Sequence, residues 1–315
     1  MIQAYPEHPS LRPGETLTLH VSTDAPRFRV DLYRFGGELA LKERSGWLPG
    51  CNFPQHLPYQ DWGRPNRGLD GEELAPWPAY DFPIPPDWPS GVYVAVLVEG
   101  DRRRGPTAPG DPAAPAAPDG RDSRALFVLR SPAPGAGATI LYKLPLLTYH
   151  AYNQVSPQGY DPATRRGGWC LYTVPRPEAL PIPVPPTVCL RRPGGGTGGT
   201  PWDFWNKDPF DPTPRQTFVH WDAPFIAWLE RNGYPVDYCT DLDVHDDNGL
   251  DLLAPYALLL SVGHDEYWSE PMRANVQRFV DTGGNVAFFS GNTCCWQVRS
   301  FPSRSTRSCS ERFPG

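Results

Sequence analysis

The sequence predicts an N-terminal β-sandwich followed by a C-terminal α/β domain with a doubly wound, mainly parallel sheet. Short strands with an alternating apolar pattern fill the first region, whereas continuous apolar strands alternate with helices in the second. The chain has 315 residues, enough for two hydrophobic cores, because single domains usually hold about 100–200 residues. A Pro-rich linker at residues 131–135 divides the chain into expected domains at residues 1–135 and 136–315.

The expected strands of the first domain lie within residues 10–35, 92–98 and 125–129. In the first of these segments, apolar residues alternate with polar ones, as in a strand with one buried face. Turns rich in Gly and Pro separate the strands, and no helical period interrupts them. Short strands with such turns over about 130 residues are typical of an immunoglobulin-like sandwich.

Composition excludes some classes of function. The net charge of −6 gives no electrostatic basis for binding nucleic acid or an anionic membrane surface. No apolar run approaches the roughly 18 residues of a membrane span, and the start of the chain lacks the pattern of a signal peptide. The seven cysteines have no paired CxxC spacing, so reduced thiols and a cytoplasmic location are expected.

The second domain begins with a strand at residues 139–142. A helix is expected over residues 222–232, with Asp222 as its N-cap and with Ile226, Trp228 and Leu229 as its buried stripe. The acidic segment at residues 241–247 does not have the spacing of an EF-hand, and we interpret it as a solvated, capped loop.

A strand–turn–helix–strand unit follows. The apolar run at residues 256–262 predicts a strand covered on both faces. Ser269 is the expected cap of the next helix, whose inward side chains are Met272, Val276, Phe279 and Val280. Residues 285–290 form the next expected strand, so the two strands are predicted to be parallel with a right-handed crossover.

This unit locates the candidate chemistry, because ligands of open α/β sheets bind at the carboxyl ends of the strands. Two turns fall there, residues 263–268 and 291–293. His264, Asp265 and Glu266 of the first turn could hold a metal ion or divide acid and base roles. Alternatively, Asp265 caps the helix and His264 is a buried histidine with satisfied hydrogen bonds.

Asn292 in the second turn has two open interpretations. Its amide could orient a substrate carbonyl or stabilise an oxyanion. It could also only form the turn, which is common for Asn after Gly. The aromatic cluster at residues 149–153 is likewise either a set of loop anchors or a source of phenolate ligands.

Two long runs carry a family resemblance. They are S-V-G-H-D-E-Y-W-S at residues 261–269 and G-G-N-V-A-F-F-S-G-N-T-C-C-W-Q-V-R at residues 283–299. Together with residues 149–153 and 221–245, they make the second half similar to the C-terminal domain of the large (β) subunit of N,N-dimethylformamidase.

This resemblance implies a glutamine-amidotransferase-like fold and a mononuclear, non-haem ferric iron, Fe(III), held by two tyrosines and one glutamate. It also implies residues that line the active site. Glu266 matches the glutamate ligand, Tyr152 and Tyr172 are the chosen tyrosines with Tyr149 as the rival, and His264 and Asn292 match the lining residues. Asp265 is then expected to be only a helix cap.

The implied activity is hydrolysis of a small amide. Hard oxygen ligands suit Fe³⁺, which can polarise an amide carbonyl and lower the pKa of bound water. The resemblance also implies a small partner subunit and leaves a homo-oligomer open.

Two departures support alternatives to an active enzyme. After Arg299 no strand pattern is visible, although the family's domain continues there and supplies a further catalytic glutamate. We therefore expect a domain that is truncated or out of frame after about residue 299, with an exposed sheet edge. The stretch at residues 175–193 also gives no clear match.

The alternatives are an inactive truncated family member and a non-catalytic module. In the second case aromatic side chains would stack on sugars while the α/β domain serves as scaffold. The candidate stacking residues are Trp202, Trp205 and Trp221.

Overall fold

The structure is a computed structural model in which β-strands predominate and helices are few. It describes residues 2–51, 77–100, 123–153, 187–197, 216–246, 248–303 and 307–312.

The N-terminal part consists of two sheets. One has the strand order β1-β3-β7, and the other has the order β2-β9-β8-β4-β5 with β6 also paired to β4. The strands are β1 (Ile2–Pro6), β2 (Ser10–Leu11), β3 (Thr16–Thr23), β4 (Arg27–Phe35), β5 (Ala40–Arg44), β6 (Leu48–Pro49), β7 (Ala79–Pro83), β8 (Gly91–Glu99) and β9 (Ser123–Leu129).

These two sheets pack on one apolar core. Leu17 and Leu19 of β3 contribute to it from one sheet, and Phe28, Val30 and Tyr93 contribute from the other. All five are fully buried, and each buried aliphatic or Phe side chain stabilises the fold by about 1.5–3 kcal/mol. The arrangement agrees with the two packed sheets that the sequence predicts for this part of the chain.

The C-terminal part contains a parallel sheet and a mixed sheet. The parallel sheet has the order β12-β10-β13-β15, and the mixed one has the order β11-β17-β16-β14. The elements are β10 (Ile140–Leu144), α1 (Leu146–Tyr152), β11 (Thr187–Cys189), α2 (Asp222–Arg231), β12 (Val236–Thr240), α3 (Asp241–His245), α4 (Gly249–Leu253), β13 (Leu258–His264), β14 (Tyr267–Ser269), α5 (Glu270–Asp281), β15 (Asn285–Gly291), β16 (Trp296–Ser303) and β17 (Arg307–Arg312).

The predicted parallel unit around α5 is confirmed. Strands β13 and β15 pair in parallel, and α5 lies between them in sequence. The Ser269 hydroxyl caps α5 by accepting a hydrogen bond from the amide of Met272 at 3.2 Å. Met272, Val276 and Phe279 are buried as expected, whereas Val280 is 43% exposed and does not face the core.

The local prediction for α2 is correct for the helix and wrong for two side chains. Trp221 precedes the helix, and the Asp222 side chain accepts hydrogen bonds from tyrosines instead of capping the helix. Trp228 is 52% exposed and stacks on Tyr234, because the buried face of α2 is formed by Ala223, Ile226 and Leu229.

The acidic segment after β12 is a short helix instead of the expected solvated loop. Thr240 and Asp243 form a capping box at the start of α3. Asp241 is fully buried and accepts a hydrogen bond from the amide of Leu147 at 2.8 Å, so it caps α1 from a neighbouring element.

Strands continue beyond Arg299, contrary to the sequence-based expectation. Strand β16 pairs in parallel with β14, and β17 pairs antiparallel with both β16 and β11. The parallel sheet ends at β15 in the described part of the chain, and Phe288 and Phe289 of that strand are 52% and 58% exposed. Among the described strands, β15 is thus the last of the parallel sheet, and the expectation of a truncated domain stays a prediction.

The two parts of the chain share an apolar cluster. Val92 and Val128 of the N-terminal sheet belong to the same buried cluster as Tyr238 and Leu260 of the parallel sheet. At its border the Arg34 guanidinium lies 2.8 Å from the Glu230 carboxylate. The N-terminal sheet thus supports the parallel sheet directly. No helix among the described residues is long and apolar enough to cross a membrane.

Candidate functional site

Three of the four connections at the carboxyl ends of the parallel strands form the candidate site. Helix α1 follows β10, the turn of residues 265–266 follows β13, and the turn of residues 292–295 follows β15. Because parallel strands end at the same edge, residues from these three connections can meet. The sequence predicts that the reactive side chains lie at this edge of the sheet.

Gly263 brings the β13 backbone close to α2. Its φ of 79° lies in the left-handed region, and an added Cβ would be only 2.4 Å from the Cβ of Trp221. Only glycine accommodates both conditions without strain. His264, the next residue and the last of β13, therefore has its position fixed by this close packing.

Tyr152, His264 and Glu266 form a compact cluster. The Tyr152 hydroxyl donates to Glu266 Oε2 at 2.6 Å, and His264 Nε2 lies 3.0 Å from the same oxygen. His264 Nε2 is also 3.3 Å from the Tyr152 oxygen. Glu266 is 4% exposed and the His264 side chain is 12% exposed, so the cluster is built around one buried carboxylate.

The second oxygen of Glu266 is held from the other side of the cluster. Trp296 donates its indole N–H to Glu266 Oε1 at 2.9 Å, and its amide donates to the Glu266 carbonyl at 2.9 Å. Strand β16 thereby fixes both the side chain and the main chain of Glu266.

The rival tyrosine, Tyr149, points elsewhere. It is fully buried, and its hydroxyl donates to the Asp222 carboxylate, which also accepts from Tyr142 at 2.9 Å. Tyr149 and Tyr152 stand on the same short helix, but only Tyr152 contacts Glu266. The geometry thus distinguishes the two tyrosines that the sequence leaves open.

Asp265 is not the expected cap of α5. Its carboxylate lies 2.7 Å from the Lys143 ammonium and accepts a hydrogen bond from Ser261 at 2.6 Å. Ser269 occupies the cap position instead. Asp265 faces inward because its turn follows directly on β13, beside the end of β10.

Asn292 lies on the turn after β15 and is exposed. Its φ of 50° is left-handed, a conformation that Asn tolerates in turns. The turn touches the Glu266 loop through its main chain, since the amide of Cys294 donates to the Asp265 carbonyl at 3.0 Å. Within the described residues, no hydrogen bond joins the Asn292 side chain to the Tyr152–Glu266 cluster.

Tyr172, Trp202 and Trp205 lie outside the described residues, so the predictions made for them stay predictions. Trp221 packs edge-on against His220 with ring centroids 4.4 Å apart. Across the described residues, no group of three or more His, Cys, Asp and Glu side chains could hold a metal ion.

Sequence reasoning missed three residues that build this site, namely Lys143, Thr148 and Trp296. Only Lys143 leaves a clear signal, because a charged residue in the apolar run Ile140-Leu141-Tyr142-Lys143-Leu144 implies a buried partner. Thr148 and Trp296 are recognised only from their contacts with Glu266.

We expect the free energy of unfolding to depend on pH because the Asp222 carboxyl is buried. Burial raises its pKa to about 7 against the opposing hydrogen bonds from Tyr149 and Tyr142; Asp265 also raises it and Lys143 lowers it. The unfolded carboxyl titrates near 3.9, so between about pH 4 and pH 7 the folded chain retains a proton that the unfolded chain has released. Stability should therefore fall as the pH rises through this window, and this contribution should be constant above it.

Urea unfolding of the parent and Asp222→Asn proteins at several pH values checks this expectation. One such group contributes a slope of up to about 1.4 kcal/mol per pH unit, and the variant should lose it. A smaller slope should remain, since burial also raises the pKa of Asp241 to about 7. Identical slopes in the two proteins would contradict the role of Asp222.

Fold and site together define a β-rich protein with a tyrosine–histidine–glutamate cluster at the carboxyl ends of the strands of a parallel sheet. A family model described as N,N-dimethylformamidase beta subunit-like, C-terminal, matches residues 52–313, and the chain belongs to this family. It is similar to the N,N-dimethylformamidase beta subunits of Paracoccus aminophilus and an Alcaligenes species, each 27% identical over 113 residues. That alignment covers 34% of this chain and 15% of each relative, so the chain matches only a small share of their length.

Proposed function

We propose that this protein hydrolyses small linear amides with a mononuclear ferric iron bound at the Tyr152–Glu266 cluster. The main support is that the side chains of Tyr152, His264 and Glu266 converge. The Tyr152 hydroxyl oxygen lies only 2.6 Å from Glu266 Oε2. Family membership supports the same reaction, since the curated relatives are subunits of N,N-dimethylformamidase.

The donor set fits ferric iron. Phenolate and carboxylate oxygens are hard ligands, and tyrosinate is an established ligand of iron in proteins. Tyr152 and Glu266 present such oxygens side by side, and the resemblance to the family assigns Tyr172 as the third ligand. To bind the metal, Tyr152 must release the hydroxyl proton that it donates to Glu266.

When bound, the iron would polarise the amide carbonyl and lower the pKa of a coordinated water. The protein's own groups would position the reactants around it. His264 Nε2, which lies 3.0 Å from Glu266 Oε2, would accept the water proton and return it to the leaving amine. Trp296 would hold Glu266 Oε1 in place, and we assign the Asn292 amide to the substrate carbonyl.

The test compares two tyrosine variants of the full chain after reconstitution with ferric iron. We expect stoichiometric iron and a visible phenolate-to-iron charge-transfer band in the parent. Tyr152→Phe should weaken the band and lower iron affinity by at least about tenfold, because the phenolate oxygen that binds the metal is lost. Tyr149→Phe is the matched control on the same helix and should retain both signals, since Tyr149 contacts Asp222.

The accompanying assay follows amine release from dimethylformamide and other small linear amides. A parent protein that binds no iron and shows no band would refute the metal assignment. Iron binding without hydrolysis of any amide would refute the reaction. Sugar binding by such an inactive protein would favour the alternative of a carbohydrate-binding module.

We also propose an architecture, a partner and a location for this protein. The two packed N-terminal sheets suit an immunoglobulin-like sandwich at residues 1–135, and the parallel sheet suits a glutamine-amidotransferase-like domain from residue 136. A small partner subunit is part of the proposal, because the relatives are named as subunits. A cytoplasmic location is supported by the free thiols of Cys239, Cys294 and Cys295.

A further inference from the structure

Thr148 connects helix α1 to the main chain of the Glu266 turn. Its side chain is fully buried, and its hydroxyl oxygen lies 3.1 Å from the amide of Glu266 and 3.3 Å from the amide of Tyr267. Both amides donate to this one oxygen. A single hydroxyl therefore satisfies two successive N–H groups at the point where the chain leaves β13 and enters β14.

The turn needs such a partner because buried amides without hydrogen bonds are costly. The amide of Asp265, the residue before, is satisfied in the same way by the hydroxyl of Ser290 at 3.1 Å. The carbonyl groups are held by main-chain donors, since Cys294 donates to Asp265 and Trp296 donates to Glu266. Side-chain hydroxyls thus replace strand pairing for the amides of this turn.

Thr148 and Tyr152 are four residues apart on α1 and share one face of the helix. One binds the main chain of Glu266 and the other binds its carboxylate. A β-branched side chain in a helix has few χ1 rotamers, so the position of the Thr148 hydroxyl is restricted. Helix α1 consequently meets Glu266 at two fixed points.

We propose that Thr148 is a positioning residue that sets the distance and orientation of the Glu266 carboxylate relative to the Tyr152 oxygen. Its effect on metal binding rests on the proposed function, whereas its effect on the turn does not. Thr148 touches neither the expected metal nor the substrate, and it acts through the Glu266 main chain.

The decisive variants are Thr148→Val, which keeps the shape and removes the hydroxyl, and Thr148→Ser, which keeps the hydroxyl. Thr148→Val should accelerate hydrogen exchange at the amides of Glu266 and Tyr267 by about tenfold. It should also lower ferric-iron affinity by about 10–100-fold, as loss of an outer-shell contact does. Thr148→Ser should retain most of the parental protection from exchange and most of the parental iron affinity.

Ser90→Ala is the matched control. The Ser90 hydroxyl accepts from the amide of Tyr238 at 3.0 Å, so a comparable hydrogen bond is lost at β12, an edge strand of the parallel sheet. This variant should leave exchange at Glu266 and iron affinity unchanged. If Thr148→Val does not fold, Thr148→Ala makes the same test without the branched methyl group.

The outcomes separate the two proposals. A parent protein that binds no iron refutes the proposed function, and the exchange rates at Glu266 and Tyr267 then decide the positioning role alone. Unchanged exchange in Thr148→Val overturns the inference, whether or not the parent binds iron. Faster exchange with unchanged iron affinity also overturns the inference. The turn would then move without changing how Glu266 binds the metal.

Discussion

Replacing Glu266 with Gln should abolish tight binding of ferric iron. Glu266 is buried, and its carboxylate is contacted by Tyr152, His264 and Trp296. The substitution keeps the side-chain shape and removes the negative charge that a trivalent cation requires. We expect iron affinity to fall by more than about 100-fold, beyond the loss typical of an outer-shell contact.

Iron content after equilibrium dialysis and the intensity of the charge-transfer band measure this effect. Glu270→Gln, an exposed carboxylate in the first turn of α5, is the control and should behave as the parent does. Hydrogen exchange across the turn identifies a variant that has lost the local fold instead of the ligand. If Glu266→Gln retained iron at parental affinity, Glu266 could not be the carboxylate ligand.

The sequence predicted the parallel unit around α5 because its signals are local and agree with one another. The apolar run before Gly263 is long enough to indicate a strand buried on both faces, and it lies in β13. Ser269 and Pro271 mark the start of α5 in the expected way. The placement of the Glu266 turn at the sheet edge follows from these elements.

The roles of Asp222 and Asp265 could not be predicted from local sequence. In the sequence, Asp222 begins one predicted helix and Asp265 shortly precedes another, and Asp is a common cap at such positions. Each instead binds partners from β10 and its following helix, Tyr142 and Tyr149 for Asp222 and Lys143 for Asp265. Such contacts, between residues about 70 to 120 positions apart, depend on the register of the parallel strands.

The choice between Tyr149 and Tyr152 has the same origin. The two residues are three positions apart on α1, and neither composition nor spacing distinguishes them. Their contacts differ, because Tyr149 meets Asp222 of α2 whereas Tyr152 meets Glu266 in the β13–β14 turn. Strands β16 and β17 were also missed, since their pairing depends on β11 and β14 and not on an apolar period of their own.

Replacing Lys143 with Met should cause the largest loss of stability. Lys143 and Asp265 are 0% and 1% exposed, and the ammonium lies 2.7 Å from the carboxylate. Burial alone lowers the pKa of Lys143, but the Asp265 and Asp241 carboxylates outweigh it and the net shift is upward. The variant leaves a buried carboxylate without its cation, which destabilises proteins by about 3–5 kcal/mol.

Urea unfolding followed by circular dichroism measures the loss. Lys42→Met, which replaces an exposed lysine, is the matched control and should change the free energy of unfolding by less than about 0.5 kcal/mol.

Combining Lys143→Met with Asp265→Asn removes both charges and should recover much of the lost stability, because no unpaired charge remains buried. A Lys143→Met variant that loses less than about 1 kcal/mol would contradict a large stabilising role of the buried pair. In that case the buried pair would contribute little to the fold, and the position of the adjacent Glu266 would depend on Thr148 and Trp296 instead of on the Lys143–Asp265 pair.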